Sequence, residues 1–429
     1  MGVVLILVFT LLAAVGMPMG FAMGLGAAAA ILYKGTLPLE IIIQRMFGGV
    51  DSFPLLAVPF FIMAGSLMDT GGIAARLIRF SQAMVGHIRG GLAMVVVISE
   101  IFFSGISGAT VADTAAIGSM MIPTMQKSGY KPPLSAAIVA AAASMGALIP
   151  PCIAMVVLGT ISNISVGALF AGGFLPAFTM ALGLLILIYV QARVGILPGA
   201  AGRSSLKGLV RSFFDALLAL AMPVIIFGGI LGGVTTPTEA AVLAVIYGFI
   251  VGVFVYKEIR FPQFVTIMRQ TLVLTGVTMF LVATATISSW LVSSERIPDA
   301  IVEAMLGISA SPWVFMVISV AIFLAVGMVL EGLPAIILLV PILLPPAVKL
   351  GFHPLHYSIV AIGATYVGLF LPPAGIGLLL SCGMAKVPLE KAARAFVPYL
   401  LVLLGGLAMI VLFPEITLIV PRLFFGKGY

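Results

Sequence analysis

The chain has 429 residues, of which 62% are hydrophobic and 8% are charged, and its mean hydropathy is +1.29. A soluble domain carries about 25% charged residues, so this composition excludes a water-soluble fold. The long apolar runs indicate an all-α polytopic membrane protein, whose backbone polar groups are satisfied within its helices. The net charge of +7 does not indicate nucleic-acid binding, because no soluble surface is predicted to collect it. The partner that composition implies is the lipid bilayer.

Apolar runs that are long enough to span a bilayer follow one another along the chain. A spanning helix needs about 20 such residues. Helical elements are predicted at 3–32 (interrupted by "GMPMG"), 53–69, 91–126, 133–163, 168–191, 211–233, 238–256, 271–291, 313–348, 355–384 and 395–418. Amphipathic connectors, which we expect to lie on the membrane interface, are predicted at 36–47, 73–88 and 258–270.

Two of these elements are predicted to be re-entrant helical hairpins. Residues 91–126 turn through "SGISGAT", and residues 313–348 turn through "GMVLEGLP". Irregular backbone at membrane depth is tolerated only where it is buried in protein or lines a cavity. When both segments enter and leave on one side, 15 of the 21 Lys and Arg residues fall on the side of residues 70–91. The positive-inside rule then makes that side cytoplasmic.

A pair of consecutive prolines breaks an apolar segment twice, in "GALIPPCIAM" and in "GLFLPPAGIG". The two breaks are separated by 372 − 150 = 222 residues, and "IPTMQKSGYKP" matches "LPPAVKLGFHP" at the same offset. Isolated prolines are common in membrane helices, but two matched breaks that each follow a hairpin indicate a repeated unit. Five predicted crossings separate the two hairpins, so the copies are expected to be inverted. This pattern is typical of secondary transporters with a site near the bilayer midplane.

The first hairpin tip combines small residues, hydroxyl groups and a carboxylate. Glycines let the backbone turn, and hydroxyl and carbonyl oxygens suit a hard monovalent cation. A carboxylate at membrane depth is costly and is by default functional. Close helix packing by the same small residues is the structural alternative. The predicted site residues at this tip are Ser104, Gly105, Ser107, Gly108, Thr110 and Asp113.

Three other acidic residues receive separate predictions. Glu331 marks the second tip, together with Gly327 and Gly332. Glu100 is predicted either to line an ion pathway or to pair structurally. Asp215 is predicted to lie near the start of its helix, where a negative charge complements the helix dipole.

The sequence of the first tip also allows an enzymatic interpretation, because "GISG" fits the pattern of intramembrane serine proteases. A nucleophilic Ser107 would need a base within hydrogen-bond reach, but His87, His353 and His356 lie in connectors or at helix ends. No ATP-binding or metalloprotease motif occurs, so an ion gradient or a partner must supply energy. Catalysis is therefore not expected, and transport is. A stand-alone sodium/divalent-anion symporter would share the hairpin pattern.

Several stretches resemble one known family, the large membrane subunit of TRAP (tripartite ATP-independent periplasmic) transporters. They are "FPLLAVPFFIMAGSLMDTGGIAARL", "GISGATVADTAAIGSMMIPTM", "GYKPP", "NISVGALFAGGFLP" and "VPLEKAARAFVPYLLVLL". The resemblance implies a bacterial inner-membrane sodium symporter of elevator type that imports organic acids and needs no cofactor besides sodium. It also implies two partners, a small four-helix membrane subunit and a periplasmic substrate-binding protein.

The resemblance implies two sodium sites, one at each hairpin tip and the broken helix that faces it. The first would use Ser104, Gly105, Ser107 and Gly108 with backbone near Gly146–Pro150. The second would use Gly327, Glu331 and Gly332 with backbone near Gly368–Pro372.

Some side-chain oxygens that the family commonly carries near these sites are missing here, since Ala109 and Leu371 stand where the family has Ser and Thr. The family's Ser-Ser-Thr run before the first break is Ala143-Ser144-Met145, and its Asn-Leu-Glu run before the second is Ala364-Thr365-Tyr366. Ser144 and Thr365 are predicted to line the pathway with Glu100, Thr110 and Asp113. Proton coupling through Glu100 or Glu331 therefore stands as the alternative to sodium.

Five segments are expected from this organisation. Scaffold helices and an interfacial arm form 1–90, and further scaffold helices form 164–312. The first hairpin and broken helix form 91–163, and the second form 313–384. A C-terminal membrane helix forms 385–429.

Overall fold

The computed structural model describes residues 2–199, 206–308 and 311–426. Within these ranges the chain is helical without any strand, and eight helices are long and apolar enough to cross a membrane. The all-helical membrane architecture is therefore confirmed. Arg203 and Lys427, which enter the predicted charge distribution, lie outside the described residues, as do 200–205, 309–310 and 427–429 of the predicted segments.

The described ranges contain twenty α-helices. Their bounds are α1 Gly2–Ala14, α2 Met19–Lys34, α3 Glu40–Val50, α4 Ala57–Thr70, α5 Ile73–Val85, α6 Gly91–Ser107, α7 Thr110–Lys127, α8 Pro132–Gly146, α9 Ile153–Ser162, α10 Val166–Arg193, α11 Leu206–Leu231, α12 Pro237–Ile250, α13 Phe261–Ser294, α14 Ile297–Ile308, α15 Pro312–Val329, α16 Gly332–Lys349, α17 Pro354–Gly368, α18 Ile376–Ala385, α19 Leu389–Leu412 and α20 Glu415–Phe425.

At each of the two predicted places the chain forms a pair of helices joined by a short turn, followed by a helix that is broken at Pro-Pro. Helices α6 and α7 meet at Gly108, and α15 and α16 meet at Leu330 and Glu331. The prolines Pro150-Pro151 separate α8 from α9, and Pro372-Pro373 separate α17 from α18. Helices α7 and α16 begin and end at positions 222 residues apart, as do α8 and α17 (354 − 132 = 222).

The two copies pack on each other reciprocally. In each copy the hairpin helices pack against the first half of its own broken helix, α8 or α17. The second halves cross over, because α9 packs against α16 and α18 packs against α7. Helices α8 and α17 are buried along almost their whole length, and they lie at the centre of the main hydrophobic core.

Three predicted elements need correction. Residues 258–270 are not a separate interfacial connector, because α13 runs unbroken from Phe261 to Ser294. The predicted element 395–418 contains a break, since α19 ends at Leu412 and α20 begins after Pro414. Helix α14 lies in a stretch for which no element was predicted.

Asp215 does not lie at a helix N-terminus as predicted. Helix α11 begins at Leu206, so Asp215 lies more than two turns inside it. Its carboxylate instead pairs with the guanidinium groups of Arg79 (3.0 Å) and Arg76 (3.9 Å) from α5. Arg76 also pairs with Glu258 and stacks over the ring of Tyr256. This network ties the amphipathic arm α5 to α11 and to the segment that follows α12.

Two further ion pairs contain lysines that the charge count assigned to the side opposite residues 70–91. Lys34 pairs with Glu295 at 2.7 Å, and Lys349 pairs with Asp299. The hydrogen bond from Lys349 holds the pKa of the Asp299 carboxyl below its ordinary value. The Asp299 pair links α14 to the second hairpin.

Candidate functional site

Four polar side chains of the first hairpin form a buried cluster. Ser104 Oγ lies 3.2 Å from Glu100 Oε1 and 3.0 Å from Asp113 Oδ2, and the Ser107 hydroxyl donates to Asp113 Oδ1. The most exposed of the four, Ser107, is only 7% exposed. Residues 100, 104 and 107 share one face of α6 because of their i, i+4, i+7 spacing. Asp113 lies in the first turn of α7, where the helix dipole favours a negative charge.

The first tip is seated in the first helix break. The carbonyl oxygen of Gly108 accepts a hydrogen bond from the amide of Ile153 (3.4 Å), just after the Pro-Pro pair. Gly108 has φ +64°, and a Cβ there would lie 2.7 Å from the Pro151 carbonyl oxygen. A Cβ on Gly146 would lie 2.4 Å from Ser104 Oγ. Glycine is required at Gly108 because its backbone is left-handed and contacts the backbone of the break, whereas Gly146 leaves room for the side chain of Ser104.

For four other predicted residues of this site, the structure shows ordinary packing or hydrogen bonds within their own helix. A Cβ at Gly105 would meet Ile149 and the Pro150 carbonyl oxygen only at 3.6 Å, an ordinary contact. Pro150 itself is buried. The Ser144 hydroxyl donates to the Ala141 carbonyl oxygen (2.8 Å) of its own helix. Thr110 is buried at the start of α7.

The second tip also packs on its own broken helix, but without a carboxylate cluster. A Cβ on Gly327 would lie 2.2 Å from the Thr365 carbonyl oxygen, and one on Gly368 would lie 2.4 Å from the Leu324 carbonyl oxygen. The Thr365 hydroxyl donates to the Ala361 carbonyl oxygen at 2.7 Å.

Glu331 is the N-cap residue of α16 and is exposed, unlike Glu100 and Asp113. Pro372 is half-buried, and Pro373 is exposed. The first tip is therefore enclosed and the second is open.

Two residues near the tips were not predicted as site residues. The ring of Tyr366 packs on Gly332, where a Cβ would lie 2.5 Å from Tyr366 Cζ. The Tyr366 ring therefore lies against the start of α16 at the second tip. At the first tip, Gly65 of α4 approaches the backbone of Ser107. Sequence spacing gave no signal for either contact, because each depends on how distant helices pack.

The surroundings of Ser107 do not support a hydrolytic serine. Its hydroxyl donates to Asp113 and accepts from the Ala109 amide (3.2 Å). The buried histidine, His356, has its Nδ1 2.9 Å from the Thr417 hydroxyl instead. Ser107 therefore pairs with a carboxylate and not with an imidazole base.

The arrangement of the first tip suits a hard cation. Hydroxyl, carboxylate and backbone carbonyl oxygens are the ligands that hard cations take. No Lys, Arg or His side chain forms an ion pair with Glu100 or Asp113 in the part of the chain that the structure describes. A buried carboxylate without a partner is costly, so this cluster needs a cation or a proton.

The model of the family "Tripartite ATP-independent periplasmic transporter, DctM component" matches residues 6–416. The chain belongs to this family. It is 35% identical to the sialic acid TRAP transporter large permease protein of Vibrio cholerae over 96% of both chains. It is 37% identical to the C4-dicarboxylate TRAP transporter large permease protein of Pseudomonas aeruginosa over 94% of both chains.

A solved structure shows the same fold. The crystal structure of the Alcanivorax borkumensis YdaH transporter matches with a TM-score of 0.64 over 89% of this chain and 88% of that one, at 16% identity. The family model and the two relatives confirm the family membership that was predicted from sequence motifs. The chain is a transport subunit of the bacterial inner membrane and not an enzyme.

Proposed function

We propose that this DctM-family subunit imports a small organic-acid anion and that an inward sodium gradient drives the import. The observation that carries the proposal is the buried pair Glu100 and Asp113 at the first hairpin tip, which has no basic partner among the described residues. A cation that binds there offsets this negative charge and so stabilises the tip in its position against the helix break. The free energy of ion binding then couples the sodium gradient to the import of the anion.

The sodium ligands are proposed to come from both sides of each tip. At the first tip they are the hydroxyl and carboxylate oxygens of Ser104, Ser107 and Asp113 and carbonyl oxygens near Pro150. The family oxygens lost at Ala109, Ala143 and Met145 are proposed to be replaced by the Asp113 carboxylate, which the hairpin already holds in place. At the second tip, backbone carbonyls near Gly327 and Gly368 are the proposed ligands, with Glu331 at the open edge.

The substrate class and the partners follow from the family. Both relatives named above carry organic acids in their names, sialic acid and C4-dicarboxylate, so an organic acid is proposed here. A tripartite system has three components, and this chain has the length of a single "large permease protein". We therefore propose that the other two components are a small four-helix membrane subunit and a periplasmic substrate-binding protein.

The transport movement is proposed to be of the elevator type. The two hairpins and broken helices (91–163 and 313–384) pack on each other reciprocally, so they can move together as one transport domain. The segments 1–90 and 164–312 would form the scaffold against which this domain slides. The C-terminal segment 385–429 would remain in the membrane beside it.

The test of sodium binding is the thermal stability of the purified full-length protein in NaCl and in KCl at equal ionic strength. A ligand that binds only the folded state stabilises it by RT ln(1 + [L]/Kd). We expect a sodium-specific rise in Tm for the wild type and a smaller rise for Ser107→Ala. Ser99→Ala is the matched control, because Ser99 is also buried on α6 but has no hydrogen-bond partner.

Equal Tm values in the two salts would contradict the proposed sodium site. A sodium effect that Ser107→Ala and Ser99→Ala reduce equally would place the ion elsewhere.

A further inference from the structure

An apolar cavity lies between α6, α10 and α11. It encloses about 170 Å³, and its nine lining residues come from these three helices and from the first helix break. None of the nine carries a polar side chain. A buried water needs about two to four polar partners, whereas an apolar cavity of comparable size stays dry and binds apolar molecules. The cavity is therefore suited to an apolar ligand.

The gap follows from the way α10 and α11 pack. Helix α11 packs mainly against α5 and α12, and it contacts α6 and α10 much less. Pro176 lies inside α10 and Pro223 lies inside α11, where it lines the cavity. A proline inside a helix removes a backbone hydrogen bond and bends the helix. The rings of Phe174 and Phe227 still bridge the two helices, with their centroids 4.7 Å apart.

The cavity lies at the depth of the lipid acyl chains. Helices α10 and α11 are both long and apolar enough to cross a membrane. Among the lining residues, Phe178 lies more than three turns after the start of α10, and Pro223 lies about two turns before the end of α11. At about 1.5 Å per residue, these positions are roughly 12–18 Å from the helix ends. They are well inside a hydrocarbon core about 30 Å thick.

The cavity reaches the lipid-facing surface at Phe178. This residue lines the cavity, and yet it is 51% exposed. Exposed apolar side chains continue from it along one face of α10 at Leu182 and Ile186, which follow at intervals of four residues. Residues at this spacing are neighbours on a helix surface. An acyl chain that lies along this face therefore meets only apolar side chains on its way to the cavity.

We propose that the end of a phospholipid acyl chain occupies this cavity. The space holds about five or six groups of the size of a water molecule, and a methylene group is of similar size, so the last few carbons of a chain fit. Acyl chains are the apolar molecules that surround the protein at this depth. An empty cavity would leave its lining atoms without contacts on one side, and the chain restores these contacts.

The bound chain contacts both parts of the proposed elevator. Helix α6 and the first break belong to the proposed transport domain, and α10 and α11 belong to the proposed scaffold. A chain in the cavity fills the gap between them in this conformation, and it has to move when the transport domain slides. This consequence rests on the proposed movement, whereas the lipid site itself does not.

The test is photolabelling of the full-length protein in nanodiscs of phosphatidylethanolamine and phosphatidylglycerol. A minor fraction of the lipid carries a diazirine at the end of one acyl chain. On illumination the diazirine loses N2, and the carbene inserts into a nearby C–H bond, which peptide mass spectrometry locates. We expect label on Ile149, which lines the cavity and is only 6% exposed, as well as on the exposed Leu182. Label on Leu182 without label on Ile149 would overturn the proposal.

Filling the cavity should displace the chain. Ala177→Phe adds a ring from the α10 wall, so Ile149 should lose most of its label while Leu182 keeps its own. Ile186→Phe is the matched control, because it adds a ring on the lipid-facing side of the same helix. If Ala177→Phe does not fold, Ile101→Phe fills the cavity from the α6 wall.

Equal label on Ile149 in the filled variant and in the control would also overturn the proposal, because the chain would then reach Ile149 by another route. The labelling needs neither sodium nor uptake. Equal Tm values in NaCl and KCl would therefore refute the sodium site and leave the lipid site standing.

Discussion

Individual residues of the first site could be predicted from the sequence because their chemistry is unusual for their place. Asp113 and Glu100 stand out as carboxylates in apolar segments, where charge is costly, and the structure brings both to Ser104. Tyr366 carries no such signal, since a tyrosine in an apolar helix is ordinary. Its position at the second tip depends on the packing of α17 against α16, which no local spacing encodes.

Tyr366→Phe tests whether this phenol contacts the substrate. The Tyr366 ring packs on Gly332 at the second tip, and its hydroxyl is not hydrogen-bonded to any residue that the structure describes. A hydrogen bond to a charged ligand is worth about 1.5–3 kcal/mol, so we expect KM for uptake to rise roughly tenfold or more. Uptake by cells that express the complete transporter is the measurement.

Tyr357→Phe is the control for this substitution. Tyr357 lies on the same helix, but its ring packs against Phe315 and Phe323, away from the tips. It should transport like the wild type. Equal KM values for the two variants would remove Tyr366 from the substrate path.

At the scale of elements, the hairpins and breaks were predicted well because prolines and glycines at fixed positions end helices. Helix α13 was predicted less well, since the charges of Arg260 and Arg269 suggested an interfacial connector. Pro262 lies in the first turn of α13, where proline is compatible with a helix, and no later residue breaks it. The charged turn is therefore the start of the long helix.

Gly108→Ala tests how tightly the first tip is seated in its break. Two costs add at this position: a left-handed backbone, worth about 1–2 kcal/mol for alanine, and a Cβ 2.7 Å from the Pro151 carbonyl oxygen. Overpacking of this kind costs about 1–3 kcal/mol. We therefore expect a loss of roughly 2–5 kcal/mol and a weaker sodium-dependent rise in Tm, measured by thermal unfolding in both salts.

Gly351→Ala separates the two costs. Gly351 also has a positive φ (+92°), but no atom lies within 4 Å of the position of its Cβ. This variant should show only the backbone cost and keep the full sodium effect. If Gly108→Ala were no worse than Gly351→Ala, the tip would not be held against the break.

At the scale of the whole molecule, one ion pair lies within the proposed scaffold, and another joins the scaffold to the proposed transport domain. Arg79 on α5 and Asp215 on α11 both belong to the proposed scaffold and lie 3.0 Å apart. Asp299 on α14 is also scaffold, but its partner Lys349 ends the second hairpin. An elevator movement must break the second pair and can leave the first intact.

Cysteine pairs at these two places test the movement directly. Asp299→Cys/Lys349→Cys and Arg79→Cys/Asp215→Cys are treated with a short, reducible bifunctional thiol reagent, which should spare the buried Cys152 and Cys382. We expect the 299–349 link to abolish uptake until it is reduced, because it ties the transport domain to the scaffold. The 79–215 link should leave uptake unchanged, because it joins two parts of one body. Full uptake with the 299–349 link complete would mean that the second hairpin does not slide past α14, and the elevator proposal would fail.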